Sequence, residues 1–166
     1  LNHKINGPSP EKFYPYLSGE RTPLNAAHLR GRFVGLSTNS NETQLTQAVM
    51  EGVAFALRDC MEALKKAGPC PDQLLAIGGG SRSRFWLETI ATTLNTAIAC
   101  PIDGEYGAAM GAARLAILGK TGEPVKNILS QPTISETIEP RSDLTDLYCE
   151  AFTTYKNAPF HLKSIQ

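Results

Sequence analysis

The chain has 166 residues, of which 42% are hydrophobic and 19% are charged, which is enough for one domain with its own core. Its formal net charge is zero, so charge gives no reason to expect nucleic acid or an anionic membrane as a partner. No apolar run approaches the roughly 20 residues that span a bilayer. The four cysteines are widely spaced and the three histidines are scattered, which predicts reduced thiols, a cytoplasmic location and no metal site.

The segment before residue 41 is predicted to hold little regular structure. Residues 1–12, rich in Asn, Pro and Lys, are predicted to be a flexible leader, and residues 13–166 a single incomplete domain. Short strands are predicted at residues 13–17 and 32–36, the first at a sheet edge because it contains a proline. The chain does not begin with Met and its sheet is short, so we expect a fragment of a longer protein.

A long helix is the clearest element. Asn41 and Gln44 can each accept a hydrogen bond from the other's backbone, a reciprocal cap typical of a helix start. Gly68 and Pro69 are predicted to end the helix. Gly52 in its middle costs up to about 1 kcal/mol relative to Ala, which predicts the close approach of another backbone. Apolar residues recur every three or four positions and share one face: Leu45, Val49, Val53, Leu57, Met61 and Leu64.

The rest of the chain alternates strands with helices. A buried strand at residues 73–77 runs into three glycines, residues 78–80, and Ser81 is predicted to cap the next helix. The alternation predicts an α/β layered fold with an incomplete sheet. The remaining predicted elements are a helix at 82–95, a strand at 96–100, a small-residue helix at 105–118, a connection at 119–141 and a final helix at 143–155.

The glycine run is the strongest candidate for a binding site. Gly79 and Gly80 lack a Cβ, so a flat ring or a phosphate can touch their backbone. The helix start that follows offers unpaired N–H groups and the positive end of a dipole, which suit an anion. Arg82 and Arg84 add positive charge. A tight strand-to-helix turn without any ligand explains the three glycines equally well.

Two nucleotide motifs were compared with the sequence. Gly119, Lys120 and Thr121 match the tail of a P-loop, but the first glycine of that motif is replaced by arginine, which excludes it. A dinucleotide-binding fingerprint needs a glycine where the chain has Ser83. It stays open as an alternative because Asp103 follows a later strand at about the expected 20-residue spacing.

Three further residues are interpreted from their local pattern. Trp86 is predicted to pack in the core because it shares a helix face with Ile90. Glu51 is interpreted as an exposed helical glutamate, the common case for this residue type. Glu105 is predicted to cap the helix that it begins.

Residues 31–51 match a kinase signature position by position, and other segments extend the likeness. Residues 78–81 with Trp86 are similar to an adenosine motif, and residues 104–113 to a helix that joins two lobes. The chain thus resembles the C-terminal part of the FGGY carbohydrate kinases, and residues 16–23 are similar to the xylulokinase branch in particular. The matching signature positions are Gly31, Phe33, Gly35, Leu36, Gln44, Leu45, Ala48, Val49, Met50 and Glu51.

This resemblance implies an actin-like ATPase (ribonuclease H-like) fold, of which the chain would be a partial second lobe with a short sheet and packed helices. It implies ATP-dependent phosphorylation of a pentulose, D-xylulose to D-xylulose 5-phosphate, with ribulose, gluconate or glycerol as alternatives. The sugar and Mg²⁺ would be held mainly by the other lobe, so the isolated chain is expected to be inactive. A nucleotide-binding module without catalysis is the other hypothesis, and a homodimer stays open.

The resemblance also assigns residues. Gly79, Gly80 and Ser81 would lie against the adenosine and its first phosphate, and Arg84 stands where relatives often have Asn near the adenine. The family's catalytic Asp precedes a phosphate loop that this sequence does not contain. No catalytic residue and no metal ligand are therefore assigned.

Overall fold

The computed structural model describes residues 4–68, 71 and 73–157. Helices and short strands alternate through this part of the chain. The helices are α1 Glu42–Ala67, α2 Arg84–Leu94, α3 Gly107–Thr121, α4 Val125–Ile128 and α5 Thr145–Asn157. The strands are β1 Lys12–Tyr14, β2 Arg32–Val34, β3 Leu74–Leu75, β4 Ile98–Pro101 and β5 Ile134–Ile138.

The main sheet has three strands in the order β3-β4-β5. β3 runs parallel to β4, with Leu74 opposite Ile98, and β5 runs antiparallel to β4, with Ile138 opposite Ile98. The helix α2 connects the two parallel strands and buries Leu87 and Ala91 against the sheet. This arrangement confirms the predicted α/β class with a short sheet and packed helices.

The helix α1 begins and ends as predicted. The backbone N–H of Gln44 donates to the Asn41 side chain over 3.1 Å, and the Asn41 N–H donates to the Gln44 side chain over 3.1 Å. At the other end the Gly68 N–H donates to the Leu64 carbonyl over 3.1 Å. These local hydrogen bonds satisfy groups that a helix end leaves unpaired.

Gly52 lies where α1 crosses β1. A Cβ on this glycine would lie 2.0 Å from the carbonyl oxygen of Phe13. No side chain fits in that space, so only glycine lets the helix and the strand approach this closely. The predicted close approach of another backbone is confirmed.

The buried face of α1 is not the one that the apolar spacing predicts. Leu57 and Leu64 are 43% and 56% exposed, whereas Phe55 is fully buried. Met61 of the predicted face is buried, but the rest of that face is not, because α1 packs through its small residues and Phe55 onto β1 and α5, elements that lie far away in sequence. The residues that α1 buries are Ala48, Glu51, Gly52, Ala54, Phe55, Asp59 and Met61.

Glu51 is buried, which overturns its interpretation as an exposed helical glutamate: only 1% of the residue is accessible. Its carboxylate accepts hydrogen bonds from the Ser9 N–H over 2.9 Å, from the Tyr148 hydroxyl over 2.9 Å and from Gln47 over 2.7 Å. Burial raises the pKa of Glu51 although these donors favour the charged form. The carboxylate thus joins α1 to α5 and to the segment before β1.

Aromatic residues fill the core between β1, α1 and α5. The Tyr14 and Tyr155 rings stack with centroids 4.5 Å apart, and Phe55 lies 5.3 Å from the Tyr155 ring. The Tyr155 hydroxyl donates to the Tyr16 hydroxyl over 2.9 Å, so the buried phenol keeps a polar partner. Most of the predicted inner face of the final helix is buried, but Leu147 is 46% exposed.

The segment before β1 packs onto the domain. Ile5 is fully buried in the aromatic core, and Ser9 and Glu11 are also buried. The Ser9 hydroxyl donates to the Glu11 carboxylate over 2.8 Å. These contacts join residues that are distant in sequence and could not be predicted from local patterns. The division into a leader and a domain stays a prediction.

The stretch 119–141, predicted as a plain connection, contains α4 and β5. The strand β5 is exposed along most of its length, so no alternation of apolar and polar residues marks it in the sequence. The helix α3, which comes before α4 in the chain, buries none of its residues. No described helix is both long enough and apolar enough to cross a membrane.

Candidate functional site

The candidate site is the turn between β3 and α2, residues 78–82, called the glycine turn below. Gly78 has a φ of 87°, a left-handed value that favours glycine. Residues Gly79–Arg82 then form one 3-10 turn. The Ser81 hydroxyl and the Ser81 N–H both donate to the Gly78 carbonyl, over 2.7 and 3.0 Å. The positive φ and these two bonds fix the conformation of the turn.

Because the 3-10 turn intervenes, α2 begins two residues later than predicted. Ser83 caps the helix by accepting a hydrogen bond from the Trp86 N–H over 3.3 Å. The prediction of Ser81 as the N-cap is therefore wrong. The Ser81 hydroxyl is used inside the turn instead.

The backbone of the glycine turn is open on one side. A Cβ on Gly79 would meet nothing within 4 Å, whereas a Cβ on Gly80 would lie 3.4 Å from the Trp86 indole nitrogen. Within the described part of the chain, the N–H groups of Gly79 and Gly80 donate no backbone hydrogen bond. Two unpaired donors on an open backbone suit an anion or the edge of a flat ring.

An apolar cavity of about 390 Å³ adjoins the turn between α1, β3 and α2. Gly80, Ser81 and Trp86 form part of its wall. Trp86 is half-buried on this wall and belongs to neither buried cluster, so its prediction as a core residue is wrong. The larger aliphatic side chains of the wall are Leu57, Met61, Leu64, Leu74, Leu75, Ile77, Leu87, Ile90, Leu94 and Ile98.

A second 3-10 turn, Gly104–Tyr106, lies against the glycine turn. The Gly78 N–H donates to the Gly104 carbonyl over 3.0 Å, and the Arg82 Nε donates to the Glu105 carboxylate. The Arg82 hydrogen bond lowers the pKa of Glu105. Glu105 caps no helix, so that prediction is wrong: it pairs with Arg82, 23 residues earlier.

Arg84 lies on the other side of the α2 start. Its guanidinium is held by Glu88 over 2.9 Å and by Glu136 of β5 over 3.2 Å. The hydrogen bond that Arg84 donates to Glu88 raises the pKa of Arg84. The structure thus ties Arg84 to α2 and β5, whereas Gly79, Gly80 and Ser81 lie together in the glycine turn.

In residues 4–68, 71 and 73–157, no three His, Cys, Asp or Glu side chains come together in a way that could hold a metal ion. Mg²⁺ is therefore assigned to no residue of this part of the chain.

Known proteins are similar to this chain in sequence. A xylulose kinase from Staphylococcus epidermidis is 36% identical over 148 residues, which are 87% of this chain and 29% of that protein. A xylulose kinase from Escherichia coli is 40% identical over 114 residues, 69% of this chain and 24% of that protein. The chain thus spans less than a third of the length of these relatives.

A solved structure agrees with the sequence comparison. The crystal structure of a xyloylose kinase from Brucella ovis matches with a TM-score of 0.82 and 49% identity, over 92% of this chain and 32% of that one. This match confirms the predicted actin-like fold as a partial C-terminal lobe, and the dinucleotide-binding alternative is wrong. The profile of the FGGY family of carbohydrate kinases, C-terminal domain, matches residues 8–119. The chain therefore belongs to the FGGY family of carbohydrate kinases.

Proposed function

We propose that the chain is the nucleotide-binding C-terminal part of a cytoplasmic, ATP-dependent sugar kinase. The observation that carries this proposal is the open backbone of the glycine turn at Gly79, placed directly between β3 and α2. A purine nucleotide needs a flat approach for its ring and N–H donors for its phosphates, and this turn offers both.

Each predicted site residue has a role in this proposal. Gly79 and Gly80 lie against the adenosine, and their two unpaired N–H groups face its first phosphate. Ser81 keeps the turn in shape through its bonds to Gly78. Arg84 lies near the adenine, steadied by Glu88. None of these residues carries out chemistry on the sugar.

The remaining parts of the reaction are assigned outside this chain. Phosphoryl transfer depends mainly on positioning and on the stabilisation of charge. The catalytic base, the Mg²⁺ that neutralises phosphate charge and the sugar pocket belong, in this proposal, to the rest of the kinase. We propose D-xylulose as the sugar and D-xylulose 5-phosphate as the product, since the relatives compared above are named xylulose kinases.

The proposal is tested by a coupled assay of ADP release. The protein expressed from its complete gene is expected to release ADP faster with D-xylulose than with ribulose, gluconate or glycerol. The isolated 166-residue chain is expected to give no turnover above the blank. Robust turnover by the isolated chain would show that the chain carries its own catalytic base, against the proposal.

Two glycine variants test whether ATP binds at the glycine turn. Gly79→Val places a side chain in the open space above the turn and is expected to raise the KM for ATP about tenfold or more, a cost of about 1.4 kcal/mol. Gly68→Ala is the matched control, since its added Cβ also meets nothing within 4 Å. An unchanged KM for ATP in Gly79→Val would contradict the assignment of the nucleotide to this turn.

A further inference from the structure

Arg82 is bound along only one edge. Its Nε donates to Glu105, and among the described residues its two terminal nitrogens have no hydrogen-bond or ion-pair partner. Its side chain is 69% exposed. A guanidinium carries five N–H donors in a fixed fork, so the four on the terminal nitrogens are still available.

The neighbouring arginine, Arg84, has more partners. Arg84 donates from its Nε to Glu88 and from a terminal nitrogen to Glu136, so two carboxylates face its single positive charge. Arg82 faces one carboxylate and stands at the end of the glycine turn, immediately before the residue that caps α2. Of the two arginines, Arg82 alone keeps both terminal nitrogens without a protein partner in the described part of the chain.

The position of Arg82 is also fixed. The Gly78 N–H donates to the Gly104 carbonyl over 3.0 Å, and a Cβ on Gly104 would lie 3.0 Å from the Ala76 carbonyl. The second 3-10 turn, which carries Glu105, is therefore locked to the glycine turn through the backbone. Glu105 holds the Arg82 guanidinium beside the turn before any ligand arrives, so less freedom is lost on binding.

We propose that Arg82 binds a phosphate of the nucleotide through its two terminal nitrogens while Glu105 keeps hold of its Nε. This inference rests on the proposed function and adds a residue to it. A fork of two parallel N–H groups matches two phosphate oxygens, and such charge-assisted bonds are the strong ones. Arg82 thereby selects nucleotides that carry phosphate over the bare nucleoside.

The test compares ATP with adenosine. Trp86 is the only tryptophan of the chain and its indole lies beside Gly80, so its fluorescence reports binding at the turn. Arg82→Gln is expected to weaken the binding of ATP about tenfold, because one charge-assisted contact is lost. Its affinity for adenosine is expected to change by less than about twofold. Arg82→Lys keeps the positive charge but loses the forked guanidinium, so its ATP affinity is expected to lie between those of the wild type and Arg82→Gln. Arg30→Gln, in a loop outside the site, is the control.

Each outcome decides one question. If the chain binds neither ATP nor adenosine, the proposed function fails and this inference fails with it. If both ligands bind but Arg82→Gln leaves the ratio of their affinities unchanged, the inference alone is overturned. The same holds if Arg82→Gln weakens both ligands equally, since that is the result of a merely structural role. A larger loss of ATP affinity in Arg84→Gln than in Arg82→Gln would show that Arg84, not Arg82, contacts the phosphate. That result would overturn the inference too.

Discussion

Gly52→Ala is expected to destabilise the chain by about 3 kcal/mol, the upper end of the cost of overpacking. The added Cβ would lie 2.0 Å from the Phe13 carbonyl oxygen and 2.9 Å from its carbon. These are backbone atoms, so no rotation of a side chain relieves the clash and α1 must move away from β1. Alanine gains up to about 1 kcal/mol of helix propensity, which is too little to offset that movement. In a thermal melt the midpoint is expected to fall by roughly 6 to 12 °C.

Gly119→Ala is the matched control. Gly119 also lies inside a helix, α3, but a Cβ there would meet nothing within 4 Å. This substitution is expected to leave the midpoint unchanged or to raise it slightly, since only helix propensity changes. A Gly52→Ala protein that melts within about 1 °C of the wild type would show that α1 and β1 do not approach as described.

Glu51→Ala is expected to cost about 3 kcal/mol or more. The substitution leaves the Ser9 N–H and the Tyr148 hydroxyl without their acceptor, and each unpaired buried donor costs about 1–3 kcal/mol. Gln47 loses its contact as well. Chemical denaturation followed by circular dichroism measures the difference. Tyr148 is fully buried, so water does not easily replace the lost carboxylate.

An exposed glutamate of α5 provides the comparison. Glu150→Ala removes the same side chain from the surface and is expected to change stability by no more than about 0.5 kcal/mol. Equal losses in the free energy of unfolding for Glu51→Ala and Glu150→Ala would mean that the buried hydrogen bonds of Glu51 do not stabilise the fold.

The raised pKa of Glu51 gives this network a pH dependence of known sign. The folded chain binds the proton more tightly than the unfolded chain, so the contribution of Glu51 is fully present below its ordinary value of 4.5 and is lost as pH rises through the raised pKa. Glu51→Gln does not titrate. The wild type is therefore expected to lose stability relative to Glu51→Gln as pH rises from 4.5, while Lys12 nearby moderates the change. If the stability of the wild type relative to Glu51→Gln stays constant or increases as pH rises, the expected sign is contradicted.

Local features of the fold could be predicted from the sequence. The cap of α1 depends on Asn41 and Gln44, which are three residues apart, and the close approach at Gly52 follows from an unfavourable residue in a helix. The buried face of α1 could not be predicted, because it depends on β1 and α5. Glu51 is the clearest case: its partners Ser9 and Tyr148 are 42 and 97 positions away, and nothing in the local pattern distinguishes it from an exposed glutamate.

The candidate site was predicted in outline. The order of strand, glycines and helix follows from the local sequence, so Gly79 and Gly80 were correctly placed between β3 and α2. Ser81 was predicted to cap the helix and lies in the turn instead. The 3-10 geometry could not be predicted, because it depends on the positive φ of Gly78 and on the Ser81 bond to its carbonyl. The pairing of Arg82 with Glu105 was also missed, since it joins two turns that meet only in the folded chain.

A nitrogen-15 NMR titration with ATP tests whether a nucleotide binds at the open backbone of the glycine turn, the claim on which the proposed function depends. We expect the largest saturating changes in amide chemical shift at Gly79, Gly80 and Ser81. All three should follow a single dissociation constant. Saturating changes elsewhere in the chain, with these three amides unmoved, would contradict the claim.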